Sequence, residues 1–121
     1  MTVTPIDERL LAKAIKIVEM HIADSQFDTR QMASEIGMSR SLLNMKLKVI
    51  TGFATGEFIR NLRLKRAANL IEQDFGNIAQ IAYEVGFNNL SYFSKVFRQQ
   101  FGETPSQYAS TMTNKQKSQI D

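Results

Sequence analysis

Two stretches of the 121-residue chain decide its fold: residues 28–38, DTRQMASEIGM, and residues 77–87, NIAQIAYEVGF. Each begins with a residue that commonly caps a helix N-terminus and has glutamine three positions later, which is the arrangement of a capping box. Each then places alanine, glutamate, an aliphatic residue and glycine at the same relative positions. The two stretches are therefore copies of one short helix that ends at a glycine.

The similarity continues past each glycine, where the inserted Asn88 shifts the second copy by one residue. Ser39 and Asn89 are the predicted N-caps of a following helix, and Gly52 and Gly102 are its predicted ends. The residues of these helices predicted to face the core are Leu43, Leu47 and Ile50 in the first copy and Phe93, Phe97 and Phe101 in the second. Agreement over about 30 residues with a single insertion is a strong signal of an internal repeat.

Each copy has the pattern of a helix-turn-helix. A small alanine, Ala33 or Ala82, lies where a crossing helix must approach closely, and Gly37 or Gly86 supplies the positive φ of the turn. In this motif the second helix enters the DNA major groove. One match is weak evidence because any helical hairpin can imitate it, but two copies in one small domain are much stronger.

Helix signals also account for the rest of the chain. Thr4 and Pro5 begin a helix that is predicted to reach about residue 23, with an apolar stripe formed by Ile6, Leu10, Ala14, Val18 and Ile22. His21 lies at the edge of this stripe and is interpreted as a packed, hydrogen-bonded histidine. Residues 55–73 predict one long helix, and Thr104 and Pro105 begin a last one. The prediction is an all-α fold of about seven helices, with two helix-turn-helix units joined by a long linker helix.

The length of the linker helix suits two-site binding to DNA. About 18 residues span roughly 27 Å at 1.5 Å per residue. This length is comparable to one turn of DNA, about 34 Å, so two recognition helices at about residues 39–51 and 89–101 would lie in successive major grooves.

Composition argues against an enzyme. The chain has no cysteine and one histidine, and its six glycines are too scattered to form a phosphate-binding loop. We therefore predict no catalytic residue, no bound metal and no cofactor. The absence of cysteine fits a reducing cytoplasm. No apolar run approaches the 20 residues that a membrane span needs, so no membrane insertion is expected.

Positive charge is concentrated in the middle of the chain. Residues 38–66 carry seven lysines and arginines against Glu57 alone, although the net charge of the whole chain is only +3. Such a block is what a phosphate-facing surface needs. For Lys65 and Arg66 we favour a solvated helix face. Charge alone leaves the partner undecided between nucleic acid and another acidic surface.

Helical phase separates the residues that pack from those that contact DNA. Arginine and lysine can bind guanine and asparagine can bind adenine, so Arg40, Asn44 and Lys95 are the predicted base-contacting residues. Lys48 and Arg98 lie further along their helices and suit phosphate contacts. The serines suit phosphates or base edges, with exposed positions that make no contact as the alternative. The complete predicted DNA-binding set is Arg40, Ser41, Asn44, Lys48, Ser91, Ser94, Lys95 and Arg98.

At this level of detail the chain resembles a known family. Residues 38–41 (MSRS), 59–64 (IRNLRL), 81–87 (IAYEVGF), 91–97 (SYFSKVF) and 101–108 (FGETPSQY) closely resemble the DNA-binding domain of the AraC/XylS transcription regulators. The resemblance covers roughly residues 8–109. It implies a domain over residues 1–109 that recognises promoter DNA with its two helix-turn-helix units. Residues 110–121 are predicted to form a polar, disordered tail.

The resemblance also implies partners. Residues 63–68 (RLKRAA) and 91–94 (SYFS) are similar to the output domains of hybrid two-component regulators. As partners the resemblance implies promoter DNA, RNA polymerase and a sensory or receiver domain, and 121 residues leave no space for such a domain. It also implies a cytoplasmic, nucleoid-associated protein. The chain is then a fragment or a stand-alone member. The alternative interpretation is a helical protein–protein interaction module without DNA specificity.

Two positions on the recognition helices keep alternatives open. Many members of the resembled family carry arginine where this chain has Met45. Methionine can contact a thymine methyl or pack inward, so the base-specific contribution of the first unit is in question. Tyr92, next to Phe93, is interpreted as a packing residue.

Overall fold

The computed structural model describes residues 4–120, with their side chains as far as residue 115. Within this range the chain forms seven α-helices and no strand, which confirms the predicted fold class. The helices are α1 Pro5–Met20, α2 Thr29–Ile36, α3 Arg40–Thr51, α4 Thr55–Glu72, α5 Ile78–Glu84, α6 Leu90–Phe101 and α7 Pro105–Ile120. The chain divides into two compact units, Met1–Leu62 and Arg63–Asp121.

The first unit is built from α1, α2, α3 and the start of α4. Its core contains Val18 of α1, Met32 of α2 and Leu43 and Leu47 of α3, none of which has exposed surface. The apolar stripe predicted for α1 is correct from Leu10 onward. Ile6, by contrast, lies in the first turn, beyond the reach of this core, and is largely exposed.

The helix α1 ends at Met20, three residues before the predicted end, because His21 leaves the helical conformation. The imidazole of His21 stacks on the ring of Phe27, with the centroids 4.4 Å apart. Its Nε2 lies 2.9 Å from a carboxylate oxygen of Glu35 on α2. The interpretation of His21 as a packed, hydrogen-bonded residue is thus confirmed.

The second unit contains the end of α4 with α5, α6 and α7. Phe93 and Phe97 on α6 are fully buried, as predicted, while Phe101 is half-buried. The Phe97 ring contacts that of Phe93 at 5.7 Å and that of Tyr108 on α7 at 5.5 Å between centroids. Burial of a phenylalanine side chain contributes about 1.5–3 kcal/mol, so these rings supply much of the core. Aromatic contacts of this kind take the place that Leu43 and Leu47 occupy in the first unit.

Both units close their turns with the same hydrogen bonds. The Met38 amide donates to the Ala33 carbonyl at 3.0 Å, and the Phe87 amide donates to the Ala82 carbonyl at 2.9 Å. This is the long bond of a Schellman motif. This bond requires a positive φ at the residue directly before the donor. That angle is 84° at Gly37 and 88° at Gly86. The predicted glycine turns are therefore confirmed in both copies.

The capping boxes differ between the copies. Asn77 and Gln80 form the complete box at the start of α5. At α2 the Asp28 side chain accepts from the Gln31 amide at 3.0 Å, but the reciprocal bond predicted from Gln31 is not formed. A single cap is sufficient here because the Asp28 carboxylate also interacts favourably with the helix dipole.

The last helix, α7, continues to Ile120 and so includes most of the segment for which the sequence predicts a polar, disordered tail. The disorder of residues 110–121 stays a prediction. Polar side chains form bonds along α7: the Thr111 hydroxyl donates to Glu103 at 2.8 Å, and the Thr113 hydroxyl donates to the Ala109 carbonyl at 3.0 Å. Residues 1–3 and 121, which belong to the ranges predicted for the domain and the tail, lie outside the described residues.

Candidate nucleic-acid interface

The second helix of each unit, α3 or α6, has one buried and one exposed side. The Ser39 hydroxyl accepts from the Leu42 amide at 3.1 Å and the Asn89 side chain accepts from the Tyr92 amide at 2.9 Å, which begins both helices as predicted. Gly52 and Gly102, both with positive φ, end them. The two helices therefore run over equivalent residues at an offset of 50.

The exposed side of α6 is mostly polar, although Leu90 and Tyr92 near its start are 48% and 46% exposed. Ser91, Lys95 and Arg98 are exposed, and Ser94 is half-buried at the edge of the core. Lys95 lies about 160° around the helix from Phe93, so it points away from the core. Gln99 is also exposed and lies one turn after Lys95. Gln99 is not among the residues predicted from the sequence, although its four-residue spacing from Lys95 places it on the same side of the helix.

On α3 the predicted residues Arg40, Ser41, Asn44 and Lys48 are all exposed. Asn44 has a partner within its own unit: its Oδ1 accepts from the Thr55 amide at 3.0 Å. Thr55 is the first residue of α4 and is only 3% exposed. A bidentate contact with adenine needs both the oxygen and the nitrogen of the carboxamide. The adenine contact predicted for Asn44 therefore competes with a bond that holds α3 to the start of α4.

The repeat explains why Asn44 is needed here. The residue before α4 is Ala54, whose side chain cannot cap a helix, so the Thr55 amide requires an acceptor from elsewhere. At the equivalent place in the second unit, Thr104 caps α7 by accepting from the Gln107 amide at 3.2 Å. The next residue there is Pro105, which has no amide hydrogen. Ser94, the residue equivalent to Asn44, therefore has no such amide to accept from.

The centre of the exposed side of α3 is apolar. Leu42, Met45 and Val49 are 38%, 58% and 53% exposed. The inward packing considered for Met45 is therefore not adopted. The equivalent residues of α6 are Tyr92, Lys95 and Gln99, and Tyr92 is itself 46% exposed, with its ring tilted against Phe87 at 6.2 Å. Packing accounts for only part of the Tyr92 side chain.

Not all of the basic block faces solvent. Arg63 is 6% exposed, and its Nη1 donates to the Val85 carbonyl at the end of α5 at 2.9 Å. This arginine satisfies a helix C-terminus and does not belong to a phosphate-facing surface. Lys46 is half-buried. Hydrogen bonds with Thr4 are the main cause of the lowered pKa of Asp7, and the positive charge of Lys46 adds a smaller effect in the same direction. Sequence position alone could not distinguish these two residues from their exposed neighbours.

Other kinds of site are not seen in the described part of the chain. Residues 4–120 contain no cluster of three or more histidine, cysteine, aspartate or glutamate side chains that could hold a metal ion. Within the same range, every helix is too short or too polar to cross a membrane.

Residues 32–111 match the family model described as a helix-turn-helix domain. Over 108 residues, or 89% of its length, the chain is 52% identical to histidine kinase P4 of Formosa agariphila. It spans only 8% of that protein, and 31% and 32% of other curated relatives that it matches.

Two crystal structures share the fold. An AraC-type transcriptional regulator from Chromobacterium violaceum has a TM-score of 0.80 at 28% identity, covering 90% of this chain and 96% of the other. The DNA-binding domain of AdpA, a global transcriptional factor crystallised in complex with a target DNA, has a TM-score of 0.79 at 25% identity, with coverages of 87% and 94%. The matched family model includes both turns and both second helices. The chain belongs to the helix-turn-helix family and, within it, to the AraC-type DNA-binding domains of transcription regulators.

Proposed function

We propose that this chain recognises promoter DNA by placing α3 and α6 in successive major grooves of one duplex. The observation that carries the proposal is the repetition of one motif. Both units close their turns with the same Schellman bond and both expose the outer side of the second helix. A similar domain, that of AdpA, has been crystallised with a target DNA.

The proposed contacts follow the exposed side of each helix. On α6, Lys95 contacts a guanine edge, Ser91 and Ser94 contact base edges or phosphates, and Arg98 contacts the backbone. On α3, Arg40 contacts a base, Ser41 contacts a phosphate or a base edge, and Lys48 contacts a phosphate. Asn44 holds α3 against α4 and offers only its amide nitrogen to the DNA.

We further propose that the domain works within a longer regulator. The similarity to a small part of histidine kinase P4 supports an output domain of a hybrid two-component system, which responds to a sensory or receiver domain elsewhere in the protein. Its place is the cytoplasm, on the nucleoid, and RNA polymerase is the proposed partner at the promoter. The domain itself is not an enzyme: it contributes DNA binding and no catalysis.

The second candidate function is a helical module that binds another protein. The exposed apolar residues of α3 favour it, since exposed apolar surface is common at protein interfaces. The dependence of binding on salt separates the two functions. Counterion release from even four phosphate contacts predicts a log–log slope of about −3.6 on duplex DNA. A slope near zero on random duplex would support the protein-binding module.

The test begins with selection of duplexes from a random pool by the purified chain. We expect an enriched site with two short motifs about one turn of DNA apart. Lys95→Ala should cost about 1–3 kcal/mol on the selected duplex and relax the choice at one base pair. Lys48→Ala, the matched control, should weaken binding to all duplexes equally and reduce the salt slope by roughly one. If Lys95→Ala leaves the selected site unchanged, the base contact proposed for α6 is wrong.

A further inference from the structure

The outer sides of α3 and α6 are chemically different although the helices occupy equivalent places in the repeat. At the three equivalent positions α3 has Leu42, Met45 and Val49, whereas α6 has Tyr92, Lys95 and Gln99. Lysine and glutamine bind purine edges through polar atoms. Leucine, methionine and valine offer no hydrogen bond to a base. A contact from α3 at these positions must therefore be an apolar one.

The apolar residues of α3 lie on a single side of the helix. Their spacings of three and four residues bring them into line, and Met45 lies about 160° around the helix from the buried Leu43. All three side chains are more than a third exposed within the first unit. They form a continuous apolar strip where a recognition helix faces its target.

The residues around the strip indicate which partner covers it. Ser41 and Lys48 flank it on one edge and are exposed, and the exposed Arg40 lies at the start of the same helix. No acidic residue occurs in α3. A basic and polar border along one edge suits the phosphates that line a groove, and the apolar group that a major groove presents is the thymine methyl.

We propose that the strip Leu42, Met45 and Val49 recognises thymine methyl groups, so that the half-site of α3 is selected for thymine and the half-site of α6 for purine edges. This inference rests on the proposed DNA-binding function and adds the base chemistry of each half-site. Each methyl buried against the strip should strengthen binding about fourfold, which is the effect of burying one methylene-sized group.

The experiment uses the duplex selected from the random pool and replaces thymine by deoxyuridine in one half-site at a time. The replacement removes the methyl and keeps the base pair and its polar edge. Titration by fluorescence anisotropy should show about fourfold weaker binding per replaced thymine in the α3 half-site. In the α6 half-site the replacement should have a much smaller effect.

The variant Met45→Ala assigns the half-site. Its affinity for the normal duplex should fall, and the further loss caused by deoxyuridine should shrink, because the methyl has lost its partner. Lys95→Ala is the matched control, in which the full deoxyuridine effect should remain. Circular dichroism of each variant checks that it is folded.

The outcomes separate the inference from the proposed function. Site-specific, salt-dependent binding that is insensitive to deoxyuridine in both half-sites would overturn the thymine contact and leave DNA binding intact. A deoxyuridine effect of the same size in Met45→Ala would also overturn it. If no duplex is enriched and binding does not depend on salt, both the proposed function and this inference fail.

Discussion

The bond between Asn44 and Thr55 provides the sharpest test of the structure. In Asn44→Ala the Thr55 amide, buried with its residue only 3% exposed, loses its acceptor. An unpaired buried donor costs about 1–3 kcal/mol. Alanine is the better helix former, by roughly half a kcal/mol at an interior position of α3, which offsets part of the loss. We therefore expect a net destabilisation of about 0.5–2.5 kcal/mol.

Two further variants isolate the cause. Asn44→Asp keeps an acceptor oxygen and places a negative charge at the start of α4, so stability should be retained while DNA affinity falls through repulsion of phosphates. Ser94→Ala changes the equivalent position of the second unit, where Pro105 has no amide hydrogen to satisfy. Its effect should stay within about 0.5 kcal/mol.

The assay is denaturant unfolding followed by circular dichroism, together with hydrogen exchange at the Thr55 amide. Exchange reports the bond directly, because an amide that loses its acceptor opens more readily to solvent. If Asn44→Ala leaves the unfolding midpoint and the protection of Thr55 unchanged but alters base preference, Asn44 contacts adenine as the sequence predicts and the interpretation of the bond is refuted.

Three other changes follow from the same structure. Gly86→Val forces a β-branched residue to a φ of 88° and should lower stability by about 1–3 kcal/mol; an unaltered melting temperature would show that the turn is not as described. Arg63→Met should cost about 1–3 kcal/mol, since the Val85 carbonyl loses its donor, while the salt slope of DNA binding stays unchanged. Tyr108 donates to Glu72 at 2.6 Å, and burial, followed by the bond and charge of that carboxylate, raises the pKa of Tyr108 to about 12. Because the folded pKa is higher than the unfolded value of 10.0, the contribution of Tyr108 is complete below pH 10 and is lost as the pH rises through about 12. Tyr108→Phe should lower stability by about 1 kcal/mol at neutral pH and flatten this alkaline loss in pH-dependent melts.

Most of the fold could be predicted because local chemistry determines it. A glycine that must adopt a positive φ, a capping side chain at Ser39 or Asn89 and an alanine at a close crossing act over a few residues. Such signals can be recognised in sequence, and their repetition in two copies removes much of the ambiguity of each one. The buried positions of α3 and α6 followed from helical spacing for the same reason.

Contacts between residues distant in sequence could not be predicted from the sequence. Arg63 belongs to a basic stretch of sequence, but its partner is the Val85 carbonyl, 22 residues away. Asn44 has the exposed phase of a base-contacting residue, yet its oxygen bonds an amide 11 residues away. Helical phase predicts which way a side chain points. Neither phase nor charge identifies the group that the side chain will contact.

The repeat separates the residues that maintain the fold from those available for recognition. Ala33 and Ala82, or Gly37 and Gly86, are identical in the two copies because the crossing and the turn require the same geometry in each. Apart from Asn44, which bonds the Thr55 amide, the exposed outward residues of α3 and α6 meet no such requirement, since their replacement removes little buried apolar surface. Two helices on equivalent scaffolds can therefore carry different chemistry, an apolar strip on α3 and mostly polar groups on α6. If the proposed function is right, a single chain distinguishes the two half-sites of an asymmetric duplex, which a symmetric dimer with two identical recognition helices does not.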